Sequence, residues 1–300
     1  MGVQAHACRI FVCFLFLSIL LAAPAWSGEK KDQPQRKEAL VLLTFGSTYD
    51  QPKDPLEPVL SILKKQRPQL PVFTAYTANR VVSHMREQGK EVRTPAQVLA
   101  DLSSQGYTHV VMQSLHVTPG KEYAMASDIA TRFNALPKGI TQVDMGLPLI
   151  GSHQDAEALA ETLVASLPAA RKKGEAVIYV GHGAEDPVGS LAYPALAYFL
   201  RQIDPHLFVG TIEGPFDLES ILKQVKASKA KTVWLTPLLT VVGDHASNDI
   251  FGDEDDSWKQ TFAKAGLTVK TIPQGLAFVP GVAEIWARHA DAAIRDMESE

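Results

Sequence analysis

Short apolar runs alternate with amphipathic stretches along most of this 300-residue chain. Residues 39–45, 71–76 and 109–115 read as buried strands, because each run is largely apolar and closes on turn residues or a polar loop. Between the first two, Leu56, Val59, Leu60 and Leu63 form one face of a helix over 56–65, and further helices are predicted over 78–88 and 95–102. The alternation then restarts. A helix over 155–167 carries Leu159, Leu163, Val164 and Leu167 on one side, and strands over 176–180, 207–212 and 232–235 alternate with helices over 191–201 and 218–225. A long loop over 237–257 follows what reads as the last strand, and a helix over 282–297 closes the chain. Strands alternating with helices in units of this size predict an α/β fold of parallel sheets, with crossovers packed on both faces.

The two series point to an internal duplication. Residues 42–46 lie over 179–183, which pairs Phe45 with His182, and residues 110–122 lie over 233–245, which pairs Gly120 with Gly243 and Glu122 with His245. The expected organisation is an N-terminal α/β lobe over 39–148, a similar C-terminal lobe over 149–278 and a C-terminal helix over 279–300, with a cleft between the lobes.

The first 27 residues depart from this pattern. Arg9 precedes an apolar run over 10–23, and small residues follow at Ala23, Ala25 and Ser27, which predicts a secretory signal over 1–27 cleaved after Ala25 or Ser27. A polar tether over 28–38 would lead into a periplasmic protein with no membrane span left after cleavage. Cys8 and Cys13 both fall inside this segment, so the remaining chain has no thiol for disulfides, nucleophilic catalysis or metal ligation. The net charge of −4, without a basic block, argues against nucleic acid and anionic membranes as partners.

The chemistry concentrates at two strand ends. Gly181-His182-Gly183 presents an imidazole where the run 176–180 stops, and ligands collect at the carboxyl ends of strands in open α/β sheets. His245 follows the strand over 232–235, at the same sheet edge, and the duplication nominates Glu122 from the other lobe. Two imidazoles and one carboxylate form a borderline donor set for a first-row divalent ion, with positions open for substrate. His116 also lies in the loop before Glu122 and ranks below these three, while His84, His109, His153, His206 and His289 read as satisfied core or surface histidines. Gly181-His182-Gly183 is no dinucleotide fingerprint, since Asp186 stands where a third glycine is required. Phosphate-loop, nucleophile-elbow and zinc-protease signatures do not occur.

Five stretches together resemble the anaerobic cobalt chelatases of the CbiK type. They are Phe45-Gly46-Ser47-Thr48-Tyr49; Gln113-Ser114-Leu115-His116-Val117 with Gly120 and Glu122-Tyr123; Gly181-His182-Gly183; Ile212-Glu213-Gly214; and Gly243-Asp244-His245-Ala246 running through Asn248-Asp249 to Asp256-Ser257-Trp258. The resemblance implies a class II chelatase: two similar α/β lobes, each a parallel sheet flanked by helices, facing a tetrapyrrole cleft. It implies insertion of Co²⁺ into sirohydrochlorin without a nucleotide, and it carries the family's metal ligands onto His182, His245 and Glu122. Ser47, Thr48 and Arg80 are expected to meet the carboxylates of the tetrapyrrole. Fe²⁺ is the alternative ion, and an exported receptor for a metal ion or haem-like tetrapyrrole is the alternative function. The oligomeric state stays open, a homo-oligomer included.

Overall fold

The computed structural model describes residues 35–47, 53–184, 186–243 and 246–299. The expected signal over 1–27, Thr48 and His245 therefore lie outside the described residues. The first half runs β1 (Glu38–Thr44), α1 (Glu57–Gln66), β2 (Val72–Tyr76), α2 (Asn79–Glu87), α3 (Pro95–Ser104), β3 (His109–Ser114), α4 (Lys121–Phe133) and β4 (Gln142–Gly146). After α5 (His153–Ala165) come β5 (Ala176–Gly181), α6 (Pro187–Ser190), α7 (Ala192–Ile203), β6 (Leu207–Thr211), α8 (Leu218–Ala227) and β7 (Thr232–Pro237). The chain ends with α9 (Trp258–Lys264), β8 (Thr268–Thr271) and α10 (Val282–Ser299).

The strands form two four-stranded parallel sheets of matching order, β2-β1-β3-β4 and β6-β5-β7-β8. Period-two alternation divides each inner strand between two cores. Ala39, Val41 and Leu43 of β1 pack with Val110 and Met112 under α3 and α4, while Ala176, Ile178 and Val180 of β5 pack with Val233 and Leu235 under α8 and α9. The opposite faces meet in one shared core. Leu40, Leu42 and Val111 from the first sheet and Val177, Tyr179 and Trp234 from the second join Leu63, Leu159, Leu196, Trp286 and Ile294 there, on α1, α5, α7 and α10. Inner strands buried on both sides explain why their sequences are continuous apolar runs.

Strands β4 and β8 and helices α4, α6 and α9 have no counterpart in the elements expected from the hydrophobic pattern. β7 is not the last strand: β8 follows α9 and pairs with it. β8 and β4 are edge strands, and β8 has no buried residue, so neither generates an apolar run. The stretch expected as a loop over 237–257 also contains a short π-helical turn, Ala246–Ile250.

Backbone hydrogen bonds repeat between the halves in the register expected from the sequence. Leu115 N donates to Leu43 O at 2.8 Å and Leu238 N to Val180 O at 2.7 Å; Thr77 N donates to Thr44 O at 2.9 Å and Ile212 N to Gly181 O at 3.0 Å. The match continues past the strands, with Ala124 N to Gly120 O at 3.0 Å and Ser247 N to Gly243 O at 2.9 Å. Phe45 thus takes the place of His182.

Candidate active site where the two sheets meet

The loops leaving the carboxyl ends of β1, β3, β5 and β7 meet. Thr240, after β7, donates its hydroxyl to Leu115 O, after β3, at 2.9 Å. A Cβ placed on Gly243 would sit 3.6 Å from Ser47 Oγ, and one placed on Gly189 would sit 2.9 Å from Gly120 Cα. Glycine at 189 lets its backbone approach that of Gly120 in the other half.

His182 stands immediately after β5 with 39 % of its side chain exposed. Its backbone is fixed on both sides. Its carbonyl accepts from Glu213 N at 2.9 Å, and Gly183 adopts φ +102°, where a Cβ would fall 2.2 Å from Glu213 O. Only glycine permits that turn and that approach. The Glu213 carboxylate lies 3.9 Å from His182 Nδ1, an ion-pair distance rather than a hydrogen bond. Glu213 belongs to a stretch that carries the family resemblance, yet no spacing rule in the sequence ties it to His182.

Glu122 occupies the first turn of α4, behind the N-cap Gly120, and is half-buried. A carboxylate there is favoured by the unpaired amides and dipole of the helix start. The loop before it lies against the other half. Asp186 Oδ1 accepts from Gly189 N at 2.7 Å to cap α6, and its Oδ2 lies 3.5 Å from where a Gly120 Cβ would be. Tyr193, in the first turn of α7, accepts at its hydroxyl from Gly183 N at 3.1 Å. Burial raises its pKa, and the hydrogen bond from the Gly183 amide opposes that rise in part. Neither Asp186 nor Tyr193 has a sequence signal as a site residue: one is a helix cap, the other an aromatic in an amphipathic helix.

The remaining candidates are placed unequally. Ser47 follows Gly46, which has φ +90°, and lies beside Gly243. Arg80 is exposed in the first turn of α2, beyond the carboxyl end of β2. His116 accepts or donates at both ring nitrogens, to Ser114 Oγ at 2.8 Å and Thr77 Oγ1 at 2.9 Å, and burial pushes its pKa down to about 4. It is a neutral ring committed to two hydroxyls. His289 is likewise satisfied, bonded to Asp155 Oδ1 at 2.8 Å and to Leu147 O at 3.2 Å. Among the described residues no three His, Cys, Asp or Glu side chains converge on a metal position. The structure places His182 just after β5 and Glu122 in the first turn of α4, with Gly189 after the one against Gly120 before the other, and His245 lies outside the described residues.

Comparison with known proteins agrees with this architecture. The family model for cobalt chelatase (CbiK) matches residues 38–295. The sirohydrochlorin cobaltochelatase CbiKC of Nitratidesulfovibrio vulgaris is 34 % identical over 285 residues, which span 93 % of this chain and 100 % of the relative. The sirohydrochlorin cobaltochelatase of Salmonella typhimurium is 30 % identical over 260 residues, 86 % of this chain and 97 % of the relative. The solved structure of SirB from Bacillus subtilis with Fe³⁺ superposes with a TM-score of 0.60 at 15 % identity, covering 88 % of this chain and 98 % of that one, which supports the fold. With its two matched parallel sheets and a family match that spans both, the chain belongs to the cobalt chelatase (CbiK) family.

Proposed function

We propose that this protein is a chelatase that inserts Co²⁺, with Fe²⁺ as the alternative ion, into sirohydrochlorin without a nucleotide. Two cobaltochelatase relatives at 34 % and 30 % identity support the substrate pair. The observation that carries the reading is the meeting of carboxyl-end loops from two matching sheets, one bearing His182 and the other leading into Glu122.

Insertion needs a hydrated divalent ion to exchange water for four ring nitrogens while two pyrrole N–H protons leave. A neutral imidazole suits either task, because it binds the ion or accepts a proton near neutral pH. In this reading His182 and His245 hold the incoming ion on one side of the macrocycle, and Glu122 is the third ligand or the proton acceptor. Glu213, 3.9 Å from His182 Nδ1, places a negative charge beside that ring, which favours a cation there. Ser47, Thr48 and Arg80 meet the substrate's carboxylates. The signal-like residues 1–27 support action in the periplasm, on a chain of two lobes, 39–148 and 149–278, and a C-terminal helix. Among the described residues no helix is long and apolar enough to cross a membrane.

The test is anaerobic incubation with sirohydrochlorin and either Co²⁺ or Fe²⁺, followed by absorbance of the metallated product. The expected result is a rate above the spontaneous one, higher with Co²⁺. No acceleration with either ion would overturn the assignment.

A further inference from the structure

We propose that Phe45 covers the face of the bound macrocycle opposite His182, where it denies the inserted ion a second protein ligand and so lets the metallated product leave. The inference rests on the reading of His182 as a ligand of that ion.

Matched strand ends differ in chemistry between the halves. Thr77 N donates to Thr44 O in the first half and Ile212 N to Gly181 O in the second, a register that makes Phe45 the equivalent of His182 and Ala78 the equivalent of Glu213. The backbones match as well, with Gly46 at φ +90° and Gly183 at φ +102°, each just past a central strand. One strand end therefore carries an imidazole with a carboxylate 3.9 Å away, and the other a phenyl ring and a methyl group at the same two places.

Phe45 is also left uncovered. Leu43 and Thr44 before it are buried, yet Phe45 is 44 % exposed. Its loop meets the other half, since Ser47 Oγ lies 3.6 Å from where a Gly243 Cβ would stand, two residues before His245. An open aromatic ring at that level suits a flat apolar surface, and it offers an ion no nitrogen or oxygen donor.

The consequence concerns release. An ion inside the macrocycle is held by the ring nitrogens, and every axial protein ligand is a further bond to break before the product departs. Cytochromes c, which keep their haem, ligate its iron with both Met and His. Here only the bonds on the His182 side must break, and product release limits turnover in many enzymes. An apolar counterface thus favours a catalyst over a receptor that retains its tetrapyrrole.

The experiment uses Phe45→His and Phe45→Ala in the otherwise unchanged protein. Preformed Co²⁺-sirohydrochlorin is bound without oxygen, and its axial nitrogens are read from the nitrogen splitting of the cobalt electron paramagnetic resonance signal. Phe45→His is expected to show an axial nitrogen that the parent lacks, to release the product about tenfold more slowly, and to stall in chelation assays after a burst of about one product per site. Phe45→Ala uncovers the same face, so added imidazole should coordinate the bound product at about tenfold lower concentration than in the parent. The parental signal in Phe45→His, or the parental imidazole affinity in Phe45→Ala, would overturn the proposal. A parent that binds Co²⁺-sirohydrochlorin through His182 but metallates no sirohydrochlorin would sink the functional reading alone, and the imidazole titration would still decide Phe45. A parent whose cobalt signal ignores His182→Ala overturns both.

Discussion

Gly183 shows how one residue converts sequence into site geometry. Its φ of +102° and the 2.2 Å that would separate a Cβ there from Glu213 O leave no room for any side chain. Gly183→Ala is expected to cost about 2 kcal/mol or more from backbone strain and the clash, measured by chemical denaturation, and to displace His182 with a loss of chelation. His116 makes a different prediction, with its pKa lowered by burial from 6.5 to about 4. The unfolded chain binds the extra proton first, so stability rises with pH from about 4 to 6.5 and is level above that. Urea midpoints measured across this window should show the slope, and His116→Gln should flatten it. His182 is legible as a site residue because two glycines abruptly end an apolar run. Tyr193 is not, since its position in α7 satisfies an ordinary helical apolar face.

At the scale of elements, legibility follows burial. β1, β3, β5 and β7 are central, buried on both faces, and their apolar runs stand out. β4 and β8 lie at edges where one side meets solvent, and their short mixed sequences, Gln142–Gly146 and Thr268–Thr271, carry no comparable signal. Periodicity reveals the closing helix but not its destination. α10 returns to the first half, packing against β3, β4 and α1, and its His289 pairs with Asp155 of α5 at 2.8 Å. Removing residues 282–300 is therefore expected to unfold both halves rather than release one. A truncated protein that kept a cooperative melt and its far-UV circular dichroism would contradict that placement.

For the whole molecule, the sequence offsets foretell the duplicated register because backbone pairing fixes which residues share a level at the sheet edge. They do not foretell the shared core of α1, α5, α7 and α10, since periodicity reports that a face is buried and not what buries it. That core joins the sheets while their carboxyl-end loops meet, and the asymmetry between Phe45 and His182 makes the site a product of both halves. The central claim is that His182, His245 and Glu122 act as one set on the incoming metal. Single-turnover formation of cobalt-sirohydrochlorin without oxygen tests it most directly, comparing the parent with His182→Ala, His245→Ala and Glu122→Gln. The account predicts that each variant loses most of the catalysed rate and that combining them loses little more. Full parental rate in both histidine variants would contradict it.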